Sequence, residues 1–167
     1  EYWAKGVSTL KVSSAPTGAV NLNVEGRRVV GPLQGFGPLW QKTYRVRLKG
    51  VKAGPTEVIS VWKREFPRFQ PPENRFYPSV DGVKPGEVVL INAKTHGGLV
   101  STGVMVMYAD DESFTLMTPQ GHPESGWVTF SAYEQEGCTV AQVQSIARAN
   151  DPMYEIVCRF IGSKEQE

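Results

Sequence analysis

The sequence is poor in the residues that build metal sites and disulfide frameworks. Among its 167 residues are two cysteines, Cys138 and Cys158, and two histidines, His96 and His122. Neither cysteine lies in a CxxC, and neither histidine has HxxxH or HxxE spacing, so the pattern predicts no metal site. We favour two buried free thiols over a bridge between the cysteines, which fits a reducing compartment.

Net charge and long apolar runs are also nearly absent. Eighteen basic residues stand against seventeen acidic ones, which gives a formal charge of +1. The basic residues are scattered, so nucleic acid is not expected as a partner. No run approaches the roughly 18 apolar residues of a membrane-spanning helix, and the start lacks the apolar core of a signal peptide. We therefore expect a cytoplasmic protein without membrane insertion. The glycines form neither a GxGxxG nor a Walker pattern, so no nucleotide cofactor is predicted.

The residues that are present predict a globular domain of strands and two helices. Residues 42–49 alternate strictly, with Tyr44 and Val46 on one face and Arg45 and Arg47 on the other, which is typical of a strand with one wet side. A helix is predicted after residues 54–57, capped by Thr56 and ended or kinked at Pro67, and residues 71–86 are predicted to form a loop.

The second half of the chain has the pattern of an antiparallel meander followed by a helix. The terminal helix is predicted from Pro152, because Asp151 supplies a cap and apolar residues then recur at steps of three and four. The five predicted strands are 87–93, 100–109, 113–118, 126–134 and 139–149. Together these elements predict an α+β fold in which a curved antiparallel sheet wraps around a long C-terminal α-helix.

The predicted order of elements resembles that of a known superfamily. The segments KTYRVRL, GPTEVI, TPQGHPESG and RANDPMYEI are similar to the helix-grip superfamily of START lipid carriers, birch pollen allergens and aromatic polyketide cyclases (SRPBCC), in a branch with a GHPESG-type turn. The resemblance covers residues 39–167 and implies a helix-grip domain there. Residues 1–38 lie outside it and are predicted to be an extended segment, either a lid or the arm of a homodimer.

The resemblance implies that a small hydrophobic or aromatic ligand is held in a cavity between the sheet and the C-terminal helix. Alternation places Val128, Phe130 and Ala132 inward on one strand, and Val143 and Ser145 inward on the next. For each aromatic or methionine in the expected site, ordinary core packing is the competing interpretation. The residues expected to contact the ligand are Tyr44, Trp62, Phe66, Met105, Met107, Phe114, Met117, Phe130, Val143, Ser145, Met153, Val157 and Phe160.

Two other functions stay open at this point. One is a cyclase- or hydrolase-like enzyme in which His122 and Glu124 move a proton, although a tight turn that is set by Gly121, Pro123 and Gly126 explains the same residues. The other is an interaction module that pairs residues 1–38 with another chain.

Overall fold

A computed structural model describes residues 1–6, 8–12, 24–70, 72–95 and 98–150. Seven strands form one antiparallel sheet in the order β1-β7-β6-β5-β4-β3-β2. The strands are β1 (Phe36–Leu48), β2 (Asn74–Tyr77), β3 (Val88–Thr95), β4 (Gly98–Ala109), β5 (Ser113–Met117), β6 (Glu124–Gln135) and β7 (Cys138–Ala149). The predicted meander is therefore confirmed as β3 to β7, while β1 and β2 lie at the two edges of the sheet.

The single α-helix in the described part of the chain, α1 (Pro55–Arg64), lies between β1 and β2. Its N-cap is Gly54 with Pro55 at the first helical position, and no side chain caps it, so the expected cap by Thr56 is wrong. Proline suits this position because its fixed φ is already helical and its missing N–H has no partner there. A short 3-10 helix, Phe66–Phe69, contains Pro67 and follows α1, as the proline predicted.

Two predictions about the first half of the chain are wrong. Strand β1 begins at Phe36, six residues before the predicted start, and its pairing with β7 is irregular between Phe36 and Trp40. Segment 71–86 was predicted to be a loop, but it contains β2. The C-terminal helix predicted from Pro152 lies outside the described residues.

Side-chain alternation gives the sheet two apolar faces. The inner face is the one against which α1 packs, and its core includes Ile59, Phe66, Phe114 and Phe130. The outer face carries Val88, Leu90 and Met105, which form a separate core with Leu10 and Val24 from the N-terminal region. The sheet is thus covered on both sides, by α1 at one end of the inner face and by the described N-terminal residues on the outer face.

Backbone hydrogen bonds join the N-terminal residues to each other and to the end of β5. The Leu10 amide donates to the Arg27 carbonyl at 2.9 Å within the N-terminal region, and the Val30 amide donates to the carbonyl of Thr118, just after β5, at 2.8 Å. Leu10 is fully buried and Val24 is 1% exposed. The described part of residues 1–38 is therefore a layer on the side of the sheet that faces away from α1.

A candidate ligand site on the inner face

Strand register aligns four predicted site residues in one row across the sheet. Phe114 pairs with Phe130, Phe130 with Val143, and Val143 with Tyr44, so the row crosses β5, β6, β7 and β1. We call these four residues the inner row. Phe114 is fully buried and Phe130 is 7% exposed, whereas Tyr44 is 49% exposed. The row therefore runs from the core beneath α1 to the open edge of the sheet.

Helix α1 places Trp62 over the buried end of the inner row. Two hydrogen bonds fix the two ends of the helix to the sheet. The Thr139 hydroxyl on β7 donates to the Ala53 carbonyl at 2.5 Å, and the Lys63 ammonium donates to the Asp110 carbonyl at 2.5 Å. Because α1 is held at both ends, the position of Trp62 along the inner row is fixed.

The Lys63 ammonium is partly desolvated by this arrangement. Burial lowers the pKa of Lys63, and the nearby charges of Asp110 and Asp111 oppose the effect. Lys63 remains a hydrogen-bond donor to the turn between β4 and β5, which is a structural role at the end of α1.

Aromatic rings fill the buried end of the inner row. The Phe114 and Phe130 rings are stacked, and the Trp62 ring stands nearly perpendicular to Phe130 at a centroid distance of 5.0 Å and an angle of 81°. Phe66 lies 5.4 Å from both Phe130 and Phe76 in edge-on contacts. Such edge-to-face and stacked pairs are favourable packing geometries, so this end is occupied core.

The open end of the inner row has small or partly exposed neighbours. On one side of the row, Ala132 pairs with Ala141 and Ala141 with Val46. Val46 is 60% exposed, and Ala141 and Val143 are partly exposed. The side chains that flank Val143 on this side of the row are therefore short, and Val143 itself faces inward on β7, as the alternation predicted.

A second row on the other side adds polar groups. Val128 pairs with Ser145, and Ser145 with Lys42, so a hydroxyl and an ammonium lie beside an apolar residue on the same face. A few polar groups within an apolar lining are typical of small-molecule sites. The inner face thus carries both an apolar row and side chains able to orient a ligand.

One buried polar atom in this region has no partner. The indole Nε1 of Trp62 is buried and makes no hydrogen bond among the described residues. Buried donors are nearly always paired in folded proteins. The unpaired N–H of Trp62, beside the inner row, is therefore unusual.

The structure separates the predicted site residues into two groups. Seven lie on the inner face or on the helix and 3-10 helix that pack against it: Tyr44, Trp62, Phe66, Phe114, Phe130, Val143 and Ser145. The three methionines lie on the other side. Met105 and Met107 belong to the outer core, and Met117 pairs with Met105 and Trp127 on that face. Met153, Val157 and Phe160 lie outside the described residues.

Tyr108 on β4 also faces away from the inner row. Its ring contacts Trp3 at a centroid distance of 4.7 Å, and its hydroxyl donates to the Asp110 carboxylate. That hydrogen bond is the main cause of the raised pKa of Tyr108.

The core residues that sequence reasoning missed include Phe76, which lay hidden in the segment that was predicted to be a loop.

His122 is held inside its own turn. The Glu124 amide donates to the imidazole Nδ1 at 3.0 Å, and the His122 amide donates to the Pro119 carbonyl at 3.2 Å. Burial lowers the pKa of His122 to about 4, although a protonated ring would gain a hydrogen bond to the Glu124 carbonyl oxygen. Both of these imidazole contacts are to the backbone of Glu124, which fits the tight-turn interpretation.

The described residues contain no group of three or more histidine, cysteine, aspartate or glutamate side chains placed to hold a metal ion. Among these residues, no helix has both the length and the apolar character needed to cross a membrane.

Comparison with known proteins gives a likeness of fold. No protein-family model and no curated protein matches the sequence. The di-domain ARO/CYC StfQ from the steffimycin biosynthetic pathway matches with a TM-score of 0.51 and 8% identity, over 77% of this chain and 47% of that chain.

Two further crystal structures match with TM-scores of 0.49. Ara h 8.0201 is 13% identical over 77% of this chain and 91% of its own, and Ms6760 from Mycobacterium smegmatis is 14% identical over 75% and 82%. The fold assignment rests on the StfQ match together with the seven-stranded antiparallel sheet and the position of α1. The resemblance predicted from the sequence is thus confirmed as a likeness of fold to StfQ, in the antiparallel sheet and α1, while the long C-terminal helix of that prediction lies outside the described residues.

Proposed function

We propose that this protein binds a small hydrophobic or aromatic molecule over the open end of the inner row. The ligand lies between this face of the sheet and the helix predicted for the C-terminal residues. The observation that carries the proposal is the gradient along the inner row, from the fully buried Phe114 to the half-exposed Tyr44. An apolar surface that starts in the core and ends at an accessible edge suits a molecule that is bound by burial.

The expected affinity follows from the area that such a ligand buries. Burial of some 300 Å² of apolar surface, at about 25 cal/mol per Å², contributes roughly 7 kcal/mol before the cost of association. Micromolar binding therefore needs polar contacts as well. In this proposal they come from Ser145 and Lys42, which pair with each other one row away from Val143.

The test fills the proposed space from one side of β7. Val143→Phe adds a ring on the inner face, while Gln144→Phe adds the same ring to the next residue of β7, which points to the outer face. We expect Val143→Phe to weaken binding of the neutral fluorescent probe N-phenyl-1-naphthylamine at least about tenfold. Gln144→Phe should leave the affinity within about twofold of wild type.

A second variant keeps the test informative if Val143→Phe does not fold. Ala141→Leu adds a smaller side chain beside the inner row and should also weaken probe binding. Thermal unfolding and near-ultraviolet circular dichroism verify that each variant is folded. If the wild-type protein takes up no probe, or if both filled variants bind as well as Gln144→Phe, the proposal is wrong.

A further inference from the structure

The unpaired indole N–H of Trp62 gives information about the ligand. Trp62 is half-buried, yet its Nε1 atom is inaccessible to solvent and has no hydrogen-bond partner among the described residues. The side chains with which its ring is in aromatic contact, Phe114 and Phe130, offer carbon and hydrogen atoms only. The donor therefore belongs to the aromatic cluster at the buried end of the inner row. Phe130, over which the Trp62 ring stands, pairs with Val143, where the part of the row that we propose meets the ligand begins.

A buried donor without a hydrogen-bond partner is energetically costly, and the indole N–H can act only as a donor. Tryptophan has one donor and no acceptor, so only an acceptor atom satisfies it. Loss of its hydration without a replacement hydrogen bond is unfavourable for the folded protein. A ligand that brings an acceptor to this point recovers that free energy, whereas a hydrocarbon does not.

We propose that Trp62 selects ligands that join an aromatic or apolar body to a hydrogen-bond acceptor oxygen, such as a ketone carbonyl, which accepts from Nε1. Trp62 is then a specificity-determining residue of the site. This inference rests on the proposed function, because it places the ligand body along the inner row. The proposed function can nevertheless hold when this inference about Trp62 is wrong.

The competing explanation lies in the same aromatic cluster. The Trp62 ring stands at 81° to Phe130 and at 89° to Phe114. In an edge-on arrangement of this kind the N–H can point at a ring face, which is a weak hydrogen bond. A donor satisfied in this way gives no preference for an oxygen-bearing ligand, so ligand preference distinguishes the two explanations.

The experiment uses two ligands of nearly equal shape. We would measure displacement of N-phenyl-1-naphthylamine by 2-acetylnaphthalene, which has a carbonyl oxygen, and by 2-isopropylnaphthalene, which has a methyl group in its place. Each is titrated into the full chain, wild type and Trp62→Phe. Trp127→Phe is the matched control, because Trp127 lies on the outer face of the sheet.

The informative quantity is the ratio of the two affinities. The lost ring area affects both ligands alike, so it cancels in the ratio, as does the difference in hydration between them. We expect the ratio of ketone to hydrocarbon affinity to fall about five- to tenfold in Trp62→Phe, relative to wild type and to Trp127→Phe.

A measurement on the wild-type protein covers the case in which Trp62→Phe does not fold. In a ¹H–¹⁵N spectrum, the indole proton of Trp62 should move downfield with 2-acetylnaphthalene and not with 2-isopropylnaphthalene. If both ligands bind but the ratio is unchanged and the indole signals shift alike, the inference is overturned and the proposed function stands. If neither ligand binds, the inference is overturned together with ligand binding of this kind.

Discussion

Phe114 and Phe130 lie opposite each other on β5 and β6 with their ring planes 10° apart and their centroids 4.7 Å apart. The stacked pair lies beneath Trp62 and Phe66, so four rings from two strands, α1 and a 3-10 helix meet at one point. This cluster joins the helical region to the sheet and closes one end of the inner row. Changes to these rings should therefore affect both the stability of the fold and ligand binding.

Removal of one ring of the stacked pair should destabilise the fold strongly. Phe130→Ala leaves a cavity between Phe114, Phe66 and Trp62, and we expect it to lower the free energy of unfolding by about 3 to 5 kcal/mol. Urea denaturation measures the change. Phe69→Ala is the control, because Phe69 is 58% exposed, and its effect should stay within about 0.5 kcal/mol. Equal losses in the two variants would contradict the packing described.

Gly126 should not tolerate a side chain. A Cβ at this position would lie 2.0 Å from the Ile146 carbonyl oxygen and 2.7 Å from the Ala147 Cα. Because both atoms belong to the backbone of β7, strand β6 must shift, and we expect Gly126→Ala to cost at least about 2 kcal/mol in urea denaturation. Gly54→Ala meets no atom within 4 Å and should cost under about 1 kcal/mol, the size of an N-cap effect. A smaller loss in Gly126→Ala than in Gly54→Ala would refute the close contact.

The enclosed imidazole of His122 should make stability depend on pH. Its pKa is lowered from 6.5 to about 4 in the folded protein, so the unfolded chain takes up the proton more readily. Stability is then complete above about pH 6.5 and falls as the pH drops toward 4, by about 2 to 3 kcal/mol in total. Unfolding free energies of the wild type between pH 4 and pH 7 test this.

The matched variant for this titration is His122→Asn. An asparagine oxygen can accept from the Glu124 amide in place of Nδ1 but does not titrate. The difference in stability between wild type and His122→Asn should therefore shift by about 2 to 3 kcal/mol across this pH range. Parallel pH profiles for the two proteins would show that the imidazole is not enclosed as described.

The layer on the outer face should contribute to stability like any other part of the core. Leu10 is fully buried and packs in one cluster with Val24 and with Val88, Leu90 and Met105 of that face. Leu10→Ala is expected to cost about 2 to 5 kcal/mol in thermal or urea unfolding, and Lys11→Ala, at an exposed neighbour, under about 0.5 kcal/mol. A neutral Leu10→Ala would mean that these residues do not pack on the sheet in solution.

Much of the sheet could be predicted because its turns and alternation are local signals. The face of the sheet on which the methionines lie could not be predicted. Met105 and Met107 alternate with Val104 and Val106, and all four are apolar because both faces of β4 are covered. In such a strand alternation does not show which set faces the ligand. On β6 and β7 the exposed side is more polar, and there the predicted inward residues are those observed.

Other features depend on contacts that the local sequence does not record. Gly37 and Pro38 are residues that usually interrupt strands, yet both lie in the irregular start of β1, which the local sequence does not reveal. The short β2 strand is defined by its pairing with β3, and its flanking prolines hide it. The unpaired Nε1 of Trp62 is a property of the packed cluster, which becomes visible only in three dimensions.

The neighbouring positions of the first and last strands affect how the protein must form. Tyr44 pairs with Val143 and Phe36 with Ala149, so this edge joins segments separated by most of the chain. Closing so large a loop is entropically costly, and domains that depend on distant pairings fold slowly. During synthesis β1 leaves the ribosome long before its partner exists. Until β7 arrives, the backbone N–H and C=O groups along that edge of β1 have no partner strand, so assembly of this edge is the step most open to pairing with a wrong strand.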